Sequence, residues 1–180
     1  MEPQESTKAA LFERIVTPHV EAAWNLTRWL VRDPHDAEDI IQEAYLRAFR
    51  SIDDYRGGDA KSWFLTVVRN LCHTFHRKTR AKQMTIALDE QIDVVQENAV
   101  MPLEKIEQAS DTQQLKLAME RLPAEYREAL ILREFEGLSY KQIADVSGVP
   151  MGTVMSRLAR GREKLVALMA TTVADEGGTR

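Results

Sequence analysis

The sequence predicts an all-α protein of two small helical domains joined by a flexible linker. Three observations predict it. Apolar residues recur at helical spacing through most of the 180 residues, and long β-branched runs are few. The helical period fades and acidic residues gather between the two periodic halves, over 83–102. The second half also carries a helix, a tight corner and another helix, each marked by its own cap or turn residue.

Composition narrows the class. A hydrophobic content of 44% is enough for the cores of one domain or two small ones. One cysteine rules out an internal disulfide framework. The N-terminal M-E-P-Q-E-S-T-K lacks the basic-then-apolar design of a signal peptide, and no apolar run approaches the length of a membrane span. A cytoplasmic protein without membrane insertion is therefore expected. The formal net charge is −4 and the pI about 5.6, so the whole-molecule field does not steer the chain toward phosphate. A DNA-binding role then needs segregated charge, or another protein that shares the work.

Within the first domain, placed at 8–82, Leu11 to Val31 carries a helical stripe with a break or kink at Pro18. Asp33, Pro34 and His35 make a turn, and Asp36 is expected to cap a helix running to about Arg50. Ile40, Ile41, Ala44, Tyr45, Ala48 and Phe49 form its inward stripe, while Asp39, Gln42, Glu43, Leu46 and Arg47 lie on the other face. A loop follows from Ser51 to Ser62, its tip at Gly57 and Gly58. From Trp63 the period returns, with Trp63, Phe64, Val67, Val68, Leu71, Cys72 and Phe75 on one side. No acidic residue occurs between Asp59 and Asp89, yet Lys61, Arg69, Arg77, Lys78, Arg80 and Lys82 all lie there. A basic helix face beside Tyr55 and Trp63 suits a nucleic-acid strand held by phosphate and stacked on aromatics. Cys72, His73 and His76 do not make a metal site by spacing, because Cys72 falls on the apolar stripe and the histidines point elsewhere.

The second domain is placed at 103–170, with a frayed tail at 171–180. A helix from Leu103 leads to Pro123, and a second with Tyr126, Ala129, Leu130, Leu132 and Phe135 ends at Gly137. Ser139 and Gln142 then form a capping box, Gly148 stops that helix, and Pro150 suits the first position of the next. Ala144 is small where the two helices must approach. In the last helix Val154, Leu158 and Leu165 face inward, leaving Ser156, Arg157, Arg160, Arg162 and Lys164 outside. This is the layout of a DNA-reading helix-turn-helix, whose second helix enters the major groove while basic neighbours hold phosphates.

With these residues assembled, the chain resembles a bacterial sigma factor of the small extracytoplasmic-function type. D-A-E-D-I-I-Q-E-A-Y-L-R-A-F-R is similar to the segment of sigma region 2 that docks on the clamp helices of RNA polymerase. W-F-L-T-V-V-R-N-L-C-H-T-F-H-R-K-T-R resembles the adjoining segment for the minus-10 promoter element. R-L-P-A-E-Y-R-E-A-L-I-L-R-E-F-E-G-L-S-Y-K-Q-I-A resembles region 4, which binds the minus-35 element and the polymerase flap.

The resemblance implies partners and residues. Core RNA polymerase would be met through Asp39, Gln42, Glu43 and Arg47. Minus-10 DNA would be met through Tyr55, Arg56, Lys61, Trp63, Arg69, Asn70, His73, Arg77, Lys78 and Arg80, with the loop Tyr55 to Lys61 capturing a flipped base. Minus-35 DNA would be met through Ser139, Tyr140, Thr153, Met155, Ser156, Arg157, Ala159, Arg160, Arg162 and Lys164. Met155 stands where family members often have a basic residue, and Ala159 where a larger side chain is frequent. An anti-sigma protein is a further implied partner. No cofactor and no catalysis are implied, and no phosphate-cradling glycine loop or nucleophile-plus-base arrangement is present in the sequence. The competing reading is a free-standing helix-turn-helix regulator whose N-terminal half senses or dimerises, which would bind a palindromic duplex unaided.

Overall fold

The computed structural model describes residues 3–90 and 111–176, and every regular element among them is helical. In the N-terminal half, α1 (Pro3–Ile15) and α2 (Val20–Leu30) are separated by a 3-10 turn over Thr17–His19, where Pro18 supplies the expected break. Helix α3 (Pro34–Ser51) and the long α4 (Ala60–Glu90) complete this half. The C-terminal half contains α5 (Asp111–Arg121), α6 (Ala124–Leu130) continued by a π-helical turn over Ile131–Phe135, α7 (Tyr140–Ser147) and α8 (Met151–Glu176).

Several boundaries differ from expectation, each for a local reason. Asp33, rather than Asp36, caps α3: its carboxylate accepts from the amides of His35 and Asp36 at 2.8 and 3.2 Å, and Pro34 takes the first helical position. Helix α4 begins at Ala60, ahead of Trp63, because Asp59 accepts from the Ser62 amide at 3.2 Å and from its hydroxyl. It then runs to Glu90, through the first part of the stretch expected as linker. The rest of that linker and the helix start expected at Leu103 lie outside the described residues. Helix α8 begins at Met151, leaving Pro150 just before it with its carbonyl accepting from Thr153 and Val154. It continues to Glu176, well into the expected tail.

The core is built from the predicted stripes. Leu26, Ile41, Ile52, Phe64, Leu65, Val68 and Cys72 are almost fully enclosed in the first half. Burying a side chain the size of Phe64 is worth roughly 1.5–3 kcal/mol. Met119, Ile131, Leu132, Leu138, Ile143 and Leu158 fill the second half. Phe49, placed on the inward stripe of α3, is instead 37% exposed and packs edge-on against Phe12. The buried residues of both halves join in one continuous cluster. Helix α7 rests on α4 and α6 on α2, so the halves pack against each other.

Candidate functional site

Three surfaces carry the residues singled out by sequence. On α3, Asp39, Gln42, Leu46 and Arg47 are exposed, and Arg47 donates to Glu43 at 2.7 Å one turn earlier. That hydrogen bond acts first to hold the Glu43 carboxyl below its usual range. Asp36, Asp39, Glu43 and Arg47 share the rim of a groove of about 290 Å³ with Thr74 and Lys78 of α4, and Ile40, Leu71 and Phe75 give it an apolar floor. Apolar side chains of α3 and α4 meet at the floor of this groove, and the long charged ones keep to its edge.

The second surface is the loop before α4 together with the face of α4 itself. Gly57 and Gly58 both adopt positive φ, 87° and 100°, which lets the chain reverse between Tyr55 and Asp59. The Tyr55 hydroxyl donates to the Gly58 carbonyl at 2.7 Å, and its ring lies 5.4 Å from that of Trp63. The aromatics therefore stand together beside the turn, with Arg56 exposed. Further along α4, Asn70, Arg77, Lys78 and Arg80 are exposed. Lys61, Arg69 and His73 belong to the same face but are engaged by the C-terminal half.

Those engagements form a cross-module network. Glu128, on α6, accepts from Arg69 Nε at 3.0 Å and lies 2.7 Å from His73 Nε2, with its side chain only 3% exposed. The buried Ser147 hydroxyl also donates to Glu128 Oε1, at 2.8 Å. Burial alone would push the Glu128 carboxyl up, but the His73 hydrogen bond, the Arg69 charge and the Ser147 hydroxyl outweigh it and hold it low. Lys61 Nζ reaches Glu136 Oε2 at 2.9 Å and the Glu136 carbonyl at 2.7 Å. Asn25 of α2 donates to the other Glu136 oxygen at 3.3 Å. Gln142, a member of the capping box, also donates to Asp59, and the rings of Trp29 and Phe135 lie 5.9 Å apart. Sequence reasoning missed Glu128, Glu136 and Phe135 as members of a site. A buried glutamate within R-E-A-L of α6 was the available signal, but its burial depends on a partner more than 50 residues away.

The third surface is the helix-turn-helix. The capping box is formed in both directions: Gln142 N donates to Ser139 Oγ at 3.3 Å, and Ser139 N to Gln142 Oε1 at 2.7 Å. Gly148 closes α7 in the left-handed region at φ 64°. Ser139 and Tyr140, assigned to DNA by resemblance, have structural duties here. The Ser139 hydroxyl is the cap, and the half-buried Tyr140 ring lies 5.2 Å from the Arg133 guanidinium. On α8, Met155, Ser156, Ala159, Arg160 and Lys164 are exposed, whereas Thr153 and Arg157 are half-buried. Ser156 donates back to the Thr153 carbonyl at 2.9 Å, and Arg162 pairs with Glu134 at 2.6 Å.

The suspected trio on α4 diverges. Cys72 faces the core, His73 turns to Glu128, and His76 lies 2.7 Å from the Leu30 carbonyl. No cluster with the composition of a metal site occurs among the described residues. No helix among them is long and apolar enough to cross a membrane.

Comparison with known proteins follows the same division. Residues 15–82 match the family model for sigma-70 region 2, and residues 112–165 match that for sigma-70 region 4. The chain is 34% identical over 148 residues to the extracytoplasmic-function RNA polymerase sigma factor SigM of Bacillus subtilis, covering 82% of this chain and 88% of that one. It is 34% identical over 154 residues to the sigma factor SigE of Mycolicibacterium smegmatis, covering 86% of this chain but only 60% of that longer relative. Among solved structures, it superposes with a TM-score of 0.69 on the sigma factor RpoE of Bartonella quintana, crystallised with the anti-sigma factor NepR. That pair is 27% identical, and the match covers 88% of this chain and 96% of the other.

Proposed function

From the premise that the chain belongs to the extracytoplasmic-function sigma factors, non-catalytic RNA polymerase subunits of transcription initiation, we propose how its surfaces divide that work. The domain held in 8–82 docks on core polymerase and handles the minus-10 element. The domain held in 103–170 reads the minus-35 element as duplex and meets the polymerase flap.

The exposed α3 face supports the docking role. Asp39, Gln42 and Arg47 present charge and hydrogen-bonding groups beside the exposed Leu46, a mixture suited to a polar protein surface with an apolar centre. The α4 face supports the opening role. Its cations follow the backbone of a separated strand, and the Tyr55–Trp63 pair offers a platform for an unstacked base. Extruding a base costs a few kcal/mol, which strand contacts repay, so promoter opening is capture of a melted state and consumes no nucleotide. On α8, Arg160 and Ser156 supply polar contact chemistry to base edges, and Lys164 to phosphate.

The observation that carries this reading is the pairing, in one chain, of a basic, aromatic-flanked helix with a separate capped helix-turn-helix. A free-standing duplex binder has no use for the first. An anti-sigma protein, as in the Bartonella quintana complex, is the regulatory partner this reading expects. The cell compartment is the cytoplasm, where polymerase works.

In vitro transcription from a genomic-fragment library, with purified core polymerase and with or without the protein, tests the proposal. New start sites sharing two upstream elements at fixed spacing are expected. Absence of any protein-dependent start site, together with unaided binding to a palindromic duplex, would overturn it in favour of the free-standing regulator.

A further inference from the structure

Met151 and Met155, each 52% exposed, stand one turn apart on the helix proposed to read the minus-35 duplex. We propose that Met155, with Met151 beside it, is a reversible oxidation site: a hydroperoxide converts the thioether to the sulfoxide, and minus-35 recognition is lost until the sulfoxide is reduced. The inference rests on the reading of α8 as the duplex-reading helix.

Met151 opens α8 and Met155 follows four residues later, so both thioethers share one face. Small residues leave Met155 uncovered along that face. Gly152, three residues before it, has no side chain, and a Cβ built there would meet no atom within 4 Å. Ala159, four residues after it, is exposed and adds only a methyl group. Oxidation needs an approaching oxygen, so exposure ranks the methionines. Met119 is shielded in the core at 2% exposure and Met169 is half-buried, whereas Met151, Met155 and Met84 are equally open. Met84 lies on α4, past Arg80 and off the reading helix, and so serves as an internal control.

The step balances between sulfur and peroxide. A sulfur lone pair attacks one peroxide oxygen, and the S–O bond forms as the O–O bond breaks. The proton of the transferred oxygen passes to the departing oxygen, which leaves as water or an alcohol. Sulfur loses two electrons and the peroxide gains them. The product is a polar, chiral sulfoxide in place of a flexible apolar side chain. A base edge that suits the thioether, such as a thymine methyl, then meets an acceptor instead of an apolar group. One lost base contact lowers affinity about tenfold. Two thiols reverse the change, becoming a disulfide as the oxygen leaves in water, which is the chemistry of the sulfoxide reductases.

The test treats the full chain with hydrogen peroxide, removes the peroxide, and assembles the protein with untreated core polymerase. Peptide mass spectrometry maps the sulfoxides. Fluorescence anisotropy of a promoter fragment, taken from the start sites that library transcription reveals, gives the affinity of each holoenzyme. The readout is the ratio of treated to untreated affinity, so a variant's basal affinity does not enter. In the parent, Met151, Met155 and Met84 should oxidise ahead of Met119, with affinity lowered about tenfold and restored by sulfoxide reductases with a dithiol. Met84→Leu should lose affinity as the parent does, whereas Met155→Leu should keep most of it. Full affinity in a parent whose Met155 is wholly sulfoxide would overturn the proposal. So would equal loss in Met155→Leu, a Met155 that stays a thioether while Met84 oxidises, or a loss that circular dichroism traces to unfolding. If Met155→Leu binds too weakly to measure, the parent decides, since its loss must follow the Met155 sulfoxide fraction through a graded peroxide series and reverse with it. An untreated holoenzyme with no more promoter affinity than core polymerase alone would instead sink the reading of α8, and this inference with it.

Discussion

Cys72 shows how far one side chain's surroundings set its chemistry. It is the chain's single cysteine, with no exposed surface, and burial pushes its thiol up to about 12, against a smaller downward pull from the Thr27 hydroxyl. The nucleophile is the thiolate, so native protein at pH 8 should react negligibly with an aromatic disulfide reagent over minutes. Denaturant should release one thiol per chain, and stoichiometric reaction of the native state would contradict the burial. Met155 poses the opposite case, a large apolar side chain 52% exposed on the reading helix. Apolar side chains meet the thymine methyl in the major groove, whereas lysine donates to guanine O6 and N7, and one good base contact discriminates by roughly 1–3 kcal/mol. Met155→Lys should therefore shift the preferred base at one minus-35 position toward guanine. Selection of promoter variants with reconstituted holoenzyme reads the change, and an unaltered consensus would place Met155 off the DNA.

At the scale of elements, caps separate structural from contact roles. The Ser139 hydroxyl closes the capping box of α7, so Ser139→Ala should cost about 1 kcal/mol of stability. A lowered melting temperature with unchanged minus-35 preference is expected; unchanged melting with weakened promoter binding would return Ser139 to the DNA surface. Gly161 is buried in the middle of α8, where a Cβ would stand 3.3 Å from both Leu130 Cδ1 and Tyr126 Cβ. This close approach joins α8 to α6, a pair separate from the α7–α8 contact at which the sequence places the small Ala144. Gly161→Val should overpack this contact and cost roughly 1–3 kcal/mol, measured by chemical denaturation. The helices themselves were legible because their stripes and caps are local: the break at Pro18, the Ser139–Gln142 box and the stop at Gly148 all stand where sequence puts them. Their ends were less so. Both Asp33 and Asp36 are competent caps, and only the geometry imposed by Pro34 selects the first. The π turn at Ile131–Phe135 has no periodic signature, since it inserts into an otherwise helical pattern.

For the whole molecule, the sequence made the two modules legible but not their contact. Charge segregation showed a basic α4, yet whether those cations face water, DNA or protein depends on pairings such as Arg69 with Glu128, for which hydrophobic periodicity carries no information. The contact predicts its own pH dependence. Glu128 and Asp59 both meet the opposite module, and both are held below the usual carboxylate range. In each, burial pushes the carboxyl up; Glu128 is drawn down further by His73, Arg69 and Ser147, and Asp59 by Ser62 and Gln142. A carboxyl held low by groups of the opposite module favours their packing fully above its ordinary value of about 4, and that contribution is lost as pH falls through the depressed value; for Glu128 those groups are His73 and Arg69, whereas for Asp59 only the Gln142 bond crosses, Ser62 lying on its own module. Energy transfer between the modules should thus be constant from neutral pH down to about 5, then fall in the acid range below about 4. Helical circular dichroism followed in parallel distinguishes separation of folded modules from unfolding. Transfer that persists in acid while the helices remain intact would show that apolar packing such as Trp29 on Phe135, and not the carboxylates, holds the modules together.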